Sequence, residues 1–161
     1  MTQRYILFLI FLGCVFALAG AWIAQTFFGI QPCTLCLYQR YIYWAILVVA
    51  AVAALFKYPG MHRFALGVTC LLLLAELGVA LYQVAVELHW TPLPAVCKAP
   101  SLSGQTIDEL RQQLTSQPHV ACDQVQWKLF GISMAGYNSL HSMALLLIAI
   151  FGLAFARKQK Q

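Results

Sequence analysis

The pair Cys33 and Cys36, written Cys33-Thr34-Leu35-Cys36, places two thiols three residues apart, and Cys97 and Cys122 supply two more. Cysteines in such pairs exchange disulfides, hold zinc or brace a fold. Pro32 suits the first turn of a helix, which predicts Cys33 and Cys36 on one face at a helix amino terminus. Unpaired amides and the helix dipole favour a thiolate there, and the thiolate is the species that attacks and leaves in exchange. A ring this small restrains the unfolded chain little, so a purely structural bond is the weaker reading. Zinc needs four close ligands, and Cys97 and Cys122 do not form a second close pair. Arg40 follows on the same face as both thiols, about one turn deeper. A fixed cation beside Cys36 would hold a thiolate, or a developing anion on an electron acceptor, in a low-dielectric site. The alternative is a side chain that only snorkels to the headgroups.

Such a site needs a scaffold, and composition narrows the choice. Of 161 residues, 61% are hydrophobic and 9% charged, with a mean hydropathy of +0.75. Soluble domains carry roughly 25% charged residues, so a soluble globular chain is excluded, and the aromatic content excludes disorder. No Lys, Arg, Asp or Glu lies between Arg4 and Arg40, or between Lys128 and Arg157. At about 20 helical residues per bilayer crossing, four spans can be drawn, at about 5–27, 35–56, 64–86 and 134–155. The expectation is an all-α, four-helix membrane bundle forming one domain over 1–161. Ala17-Leu18-Ala19 looks like a signal cleavage site, but the apolar run continues to Phe28, longer than a signal core, so the first span is expected to be retained.

The net charge of +5 then speaks of orientation, not of nucleic acid. Arg4, Lys57, Arg63, Arg157, Lys158 and Lys160 fall on the side of the chain ends, against Lys98, Arg111 and Lys128 opposite. By the positive-inside rule both termini are cytoplasmic. The loops at about 28–34 and 87–133 then face outward, and 57–63 is a cytoplasmic loop, with Lys57-Tyr58-Pro59-Gly60 a tight turn. Cys14 and Cys70 lie inside spans, where a thiol packs as a small apolar group. The other four share the outer side, where disulfides persist. Four cysteines allow three pairings, of which Cys33–Cys36 with Cys97–Cys122 is the simplest.

In the long outer loop, Ser101-Leu102-Ser103-Gly104 reads as flexible. Thr106 with Glu109 resembles a capping box, and Ile107, Leu110 and Leu114 recur at helical spacing. A short amphipathic helix over 106–114 is predicted, lying on the membrane surface or packed on its own loop. Pro92, Pro94 and Pro100 stiffen an extended segment around Cys97, of a kind that fits a partner's peptide groove. Glu76, in the middle of span three, reads equally as a proton carrier or as a partner of Asn138, His141 or Ser142. Trp22, Tyr38, Tyr41, Tyr43, Trp44 and Trp90 fit an interfacial belt. His62, His89 and His119 show no ligand spacing, and no metal site is expected.

Gln25 and the stretch Gln31-Pro32-Cys33-Thr34-Leu35-Cys36-Leu37-Tyr38-Gln39-Arg40 resemble the signature of the DsbB family, the quinone-linked disulfide-forming proteins of the bacterial inner membrane. The likeness extends through the four spans, the Cys97 and Cys122 loop, and Trp127-Lys128-Leu129-Phe130-Gly131-Ile132-Ser133-Met134 with Asn138. It departs at Ala135, where many relatives have proline. The resemblance implies a membrane thiol:quinone oxidoreductase, using ubiquinone or menaquinone, with Cys33, Cys36, Cys97 and Cys122 catalytic and Arg40, Cys36 and Gln25 at the quinone. It implies that a reduced periplasmic partner of the DsbA type attacks Cys97–Cys122 and becomes joined to Cys97. Cys122 then attacks Cys33, and Cys36 leaves as a thiolate beside the quinone. Two other classes stand beside this one. One is a relative of the vitamin K epoxide reductases, whose Cys-x-x-Cys falls late in the chain rather than at span two. The other is a non-enzymatic membrane protein with structural disulfides.

Overall fold

The computed structural model describes residues 2–56, 58–97, 106–108 and 121–158. Its architecture is a bundle of four long helices, α1 (Thr2–Phe27), α2 (Thr34–Leu55), α3 (Pro59–Glu87) and α4 (Met134–Lys158). Each contains a stretch long and apolar enough to cross a bilayer, and the protein is a multi-pass membrane protein. Large apolar side chains such as Phe8, Leu55, Phe64 and Phe151 stay exposed on the outside of the bundle, where lipid rather than water is their solvent. The inner faces meet in a core that joins Ile10 and Cys14 of α1, Ile46 of α2, Leu66 and Leu73 of α3, and Ala149 of α4. Cys14 is fully buried there, as a small apolar side chain.

Without a strong hydrophobic drive between helices in lipid, close packing by small residues matters more. Gly152 of α4 illustrates it. A Cβ there would sit 2.9 Å from Ile6 Cδ1 and 3.0 Å from Leu66 Cδ2, wedged between α1 and α3. Gly152→Leu is therefore expected to destabilise the bundle by about 1–3 kcal/mol, the usual range for overpacking. Thermal unfolding in detergent tests this, and an unchanged midpoint refutes the packing argument.

Three local features differ from the sequence reading. Span three starts earlier than residue 64: Pro59 occupies the first turn of α3, where its missing N–H would have had no helical partner anyway, so the 57–63 loop shrinks to the residues just before Pro59. Pro32 lies outside α2, one position before Cys33, which is the N-cap. The segment before Cys97 is not simply extended, because Ala95–Cys97 form a 3-10 turn closed by Cys97 N–H donating to Pro94 O at 2.9 Å.

A two-stranded antiparallel ribbon, β1 (Lys128–Leu129) and β2 (Ile132–Ser133), leads into α4, with Leu129 opposite Ile132. Its two turn residues, Phe130 (φ 50) and Gly131 (φ 81), are both left-handed, the requirement of the tight hairpin turn that matches strand twist. Glycine meets that requirement at no steric penalty, whereas Phe130 sits at the tip and is 91% exposed. α3 ends in a Schellman motif: Trp90 N–H returns to Ala85 O at 2.9 Å and His89 N–H to Val86 O at 3.0 Å, with His89 left-handed. The expected amphipathic helix over 106–114 lies outside the described residues except at Thr106–Asp108, where Ile107 and Asp108 are helical. Ser101–Gly104 and Pro100 also lie outside them.

Candidate functional site

Cys33 caps α2. Its extended backbone (φ -77, ψ 170) turns the chain into the helix, and its sulfur accepts the Cys36 N–H at 3.3 Å, a role that a Ser or Asp oxygen commonly fills. That bond and the first helical turn bring the two sulfurs to 2.8 Å. The hydrogen bond with Cys36, and then burial, hold the Cys33 thiol above its ordinary range.

Cys97 and Cys122 are joined by a disulfide. Both are buried, at 4% and 2% exposure, and pack with Cys33, Leu35 and Val86 in one cluster, with Cys36 partly buried against it. The second disulfide is thus seated on the first site. Its two arms are tied down separately. Thr34 Oγ1 donates to Val96 O at 3.0 Å, just before Cys97. Gln126 Nε2 donates to Gln31 O at 2.7 Å while its Oε1 accepts from Gln31 N–H at 3.1 Å, just after Cys122. The short first loop and the long second loop are clasped to each other around the sulfurs.

A cavity of about 400 Å³ opens beside this cluster, walled by residues of α1, α2 and α4 together with Cys33, Cys36, Arg40 and Cys122. Its lining is mostly apolar (Phe16, Ala17, Ala21, Val125, Met134), with a few polar groups converging on it, the usual character and size of a small-molecule site. Arg40 is fixed at the wall: Nη1 donates to Gln25 Oε1 at 2.7 Å and Nη2 to Ala21 O at 3.2 Å. Gln25 does not itself line the cavity but reaches it through Arg40. A guanidinium held from α1 and lining the cavity differs from a side chain snorkelling freely to headgroups. Arg40 and Cys36 both line this cavity.

The sequence reading did not foresee the polar chain behind the sulfurs. Gln83 of α3 donates through Nε2 to Cys36 Sγ at 3.3 Å and Cys33 Sγ at 3.5 Å. Gln83 Oε1 accepts from Gln39 Nε2 at 3.1 Å, and Gln39 Oε1 accepts from Asn138 Nδ2 at 3.1 Å. Asn138 Nδ2 also donates to Glu76 Oε1 at 2.8 Å, and Asn138 Oδ1 accepts from Tyr43 Oη at 2.8 Å. Glu76 therefore takes Asn138, and not His141 or Ser142, which bond to Gly13 O and Ser139 O. Tyr43 is 3% exposed and belongs to this chain rather than to the interfacial belt, whereas Trp22, Tyr41, Trp44 and Trp90 are exposed. One signal was available: Glu76 and Gln83 are two turns apart on α3, and Cys36, Gln39 and Tyr43 recur at helical spacing on α2.

Four membrane-length helices carrying two cysteine pairs in contact at one end define a multi-pass membrane protein equipped for thiol–disulfide exchange. A family model described as "Disulfide bond formation protein DsbB" matches residues 3–152, and the chain belongs to the DsbB family. Disulfide bond formation protein B 2 of Pseudomonas savastanoi pv. phaseolicola is 32% identical over 157 residues, covering 93% of this chain and 87% of that protein. Disulfide bond formation protein B of Aromatoleum aromaticum is 33% identical over 139 residues, covering 82% and 79%. An uncharacterized protein of Rickettsia prowazekii is 27% identical over 148 residues, covering 91% and 85%. No solved structure matches the chain.

Proposed function

We propose that the protein is a thiol:quinone oxidoreductase of a bacterial inner membrane that reoxidises a periplasmic DsbA-like dithiol protein and so sustains disulfide formation. The observation that carries this reading is the packing of Cys33 with Cys97 and Cys122 in one buried cluster, beside a cavity that Cys36 and Arg40 also line.

A partner thiolate attacks Cys97; a mixed disulfide forms there, and Cys122 leaves as a thiolate. In the oxidised protein, where Cys33 and Cys36 are joined as a disulfide, Cys122 then attacks Cys33, with which it is packed, and the leaving group is the Cys36 thiolate. Its position is suited to that role, with the Cys36 amide held to Cys33 and the Gln83 Nε2 donor aimed at the sulfur. Attack by the partner's second thiol on the mixed disulfide releases an oxidised partner and a Cys97 thiolate, which attacks Cys122 in the Cys33–Cys122 bond, so that Cys97–Cys122 reforms and Cys33 leaves as a thiolate. Cys33 and Cys36 are left as a dithiol, which must lose two electrons and two protons to become a disulfide again. A quinone held in the cavity that Cys36 and Arg40 line would supply the acceptor for both electrons and both protons. Arg40, oriented by Gln25 and Ala21, would hold its oxygen and keep the adjacent anionic charge stabilised in a dry site. The excess of Lys and Arg toward the chain ends supports cytoplasmic termini, which puts the cysteines on the periplasmic side.

The test is capture at one sulfur. With the Cys97–Cys122 bond intact, a purified, reduced thioredoxin-fold protein left with a single active thiol is expected to become disulfide-linked to Cys97 as Cys122 leaves as a thiol, and peptide mass spectrometry locates the bond. No linkage, or linkage at Cys33 instead, overturns the order of transfer.

A further inference from the structure

Glu76 has no place in the sulfur chemistry above, yet it is fully buried at the inner end of an unbroken hydrogen-bonded chain that begins at the sulfurs. Among the described residues its second oxygen, Oε2, is buried without a hydrogen-bond partner, which is uncommon for a buried polar atom and calls for an explanation. The chain has a direction. Asn138, Gln39 and Gln83 are amides, which can turn over and exchange their oxygen and nitrogen, and the Tyr43 hydroxyl can either donate or accept. Glu76 at the inner end cannot be matched by an amide flip, because a carboxylate oxygen accepts, and Glu87, which bonds Gln83, is a second such acceptor at the sulfur end that favours the same sense. With Glu76 Oε1 accepting, Asn138 turns its nitrogen inward and Gln39 answers with its oxygen. Gln39 then offers its nitrogen to the Gln83 oxygen, and the Gln83 nitrogen is left facing both sulfurs. The opposite arrangement, the Cys36 thiol donating to Gln83 Oε1, exists only as a long 3.8 Å contact.

We infer that Glu76 is a positioning residue for the redox pair: from the bilayer interior it sets the donor sense of the Asn138–Gln39–Gln83 chain, so that the chain ends in N–H groups on Cys36 and Cys33. The inference rests on the reading of that pair as the exchanging thiols. A hydrogen bond donated to a sulfur stabilises its thiolate, whereas an oxygen turned to it favours the thiol.

Simple charge repulsion predicts the reverse. The ionisable groups in electrostatic reach of Cys36 are Cys33 and Arg40 on α2 and Glu76 on α3, and Glu87 of α3 meets Gln83. Cys14 of α1 and Tyr43 of α2 face Glu76. If Glu76 acted only through its charge, deleting it would raise Cys36 reactivity.

The experiment measures alkylation of Cys36 by iodoacetamide, read on its own peptide by mass spectrometry, in otherwise full-length Cys33→Ala protein in detergent. Glu76→Leu removes the acceptor and is expected to slow alkylation near neutral pH about tenfold, the value of roughly one hydrogen bond to a charged group. The difference should vanish at strongly alkaline pH, where every accessible thiol is ionised. Glu76→Gln can still present an oxygen to Asn138 and should stay close to the parent rate. Asn138→Leu cuts the chain one link nearer the sulfurs and should match Glu76→Leu, with no further loss in the double variant. Faster or unchanged alkylation in Glu76→Leu overturns the inference, as does Glu76→Gln behaving like Glu76→Leu, or a deficit that persists at alkaline pH. Alkylation needs neither quinone nor partner. A parent protein that reduces no quinone but shows this pattern refutes the proposed function and leaves the inference standing; turnover without the pattern does the opposite.

Discussion

Cys36→Ser is expected to abolish quinone reduction by the purified protein supplied with a reduced thioredoxin-fold donor, while Cys14→Ser and Cys70→Ser run at the parent rate. The serine hydroxyl matches the thiol in shape closely enough to leave the capped first turn of α2 intact, yet oxygen cannot replace sulfur in the bond that must form and break. Without a second sulfur, Cys33 cannot close a ring, and the electron pair brought by the donor has no bond through which to leave. The block also predicts its own product. The lone Cys33 thiolate can attack Cys122 within the Cys97–Cys122 bond and release Cys97, and with no second thiol beside Cys33 to resolve the product, a Cys33–Cys122 linkage should accumulate in non-reducing peptide maps. Turnover that survives in Cys36→Ser removes the assignment of roles to all four cysteines. Cys14 serves as the control because it is buried in the bundle core, away from the cavity.

The second large effect belongs to Arg40. Arg40→Ala is expected to reduce quinone turnover efficiency by about 10- to 100-fold, the range of one lost hydrogen bond to a charged group, with the deficit in apparent quinone affinity as well as rate. Lysine should rescue little, because the two anchors at Gln25 Oε1 and Ala21 O engage two different guanidinium nitrogens, a fork that a point ammonium lacks. Gln25→Ala should fall between parent and Arg40→Ala, since Gln25 lies off the cavity wall and works by aiming Arg40. Steady-state assays over a range of a soluble quinone analogue separate these outcomes. If affinity and rate are both unaltered in Arg40→Ala, the side chain serves the membrane interface and not the cavity.

How far the sequence carried this picture depends on which physical signal was present. The four spans were readable because long uncharged runs admit few interpretations, and their ends shifted mainly where Pro59 began a helix instead of breaking one. The closeness of Cys33 and Cys36 followed from helical spacing alone. The seating of Cys97 and Cys122 against them did not, because it depends on two loop clasps, Thr34 to Val96 and Gln31 with Gln126, between residues far apart in sequence and individually unremarkable. The ribbon before α4 was also missed: Leu129-Phe130-Gly131-Ile132 is too short for alternation to register, and a left-handed Phe130 runs against residue preference. The amide chain escaped because each of its members reads singly as an ordinary polar residue on an apolar helix, and its meaning appears only when α2, α3 and α4 are brought together.

One consequence follows from how little of the second disulfide is on view. A bond between two residues that are only 4% and 2% exposed offers little surface to glutathione, free cysteine or other stray reductants outside the cavity. A protein that displaced the loop clasps would reach it from the other side. Selectivity for a folded protein substrate would then arise from concealment, with the lock and the fuse built from the same few residues.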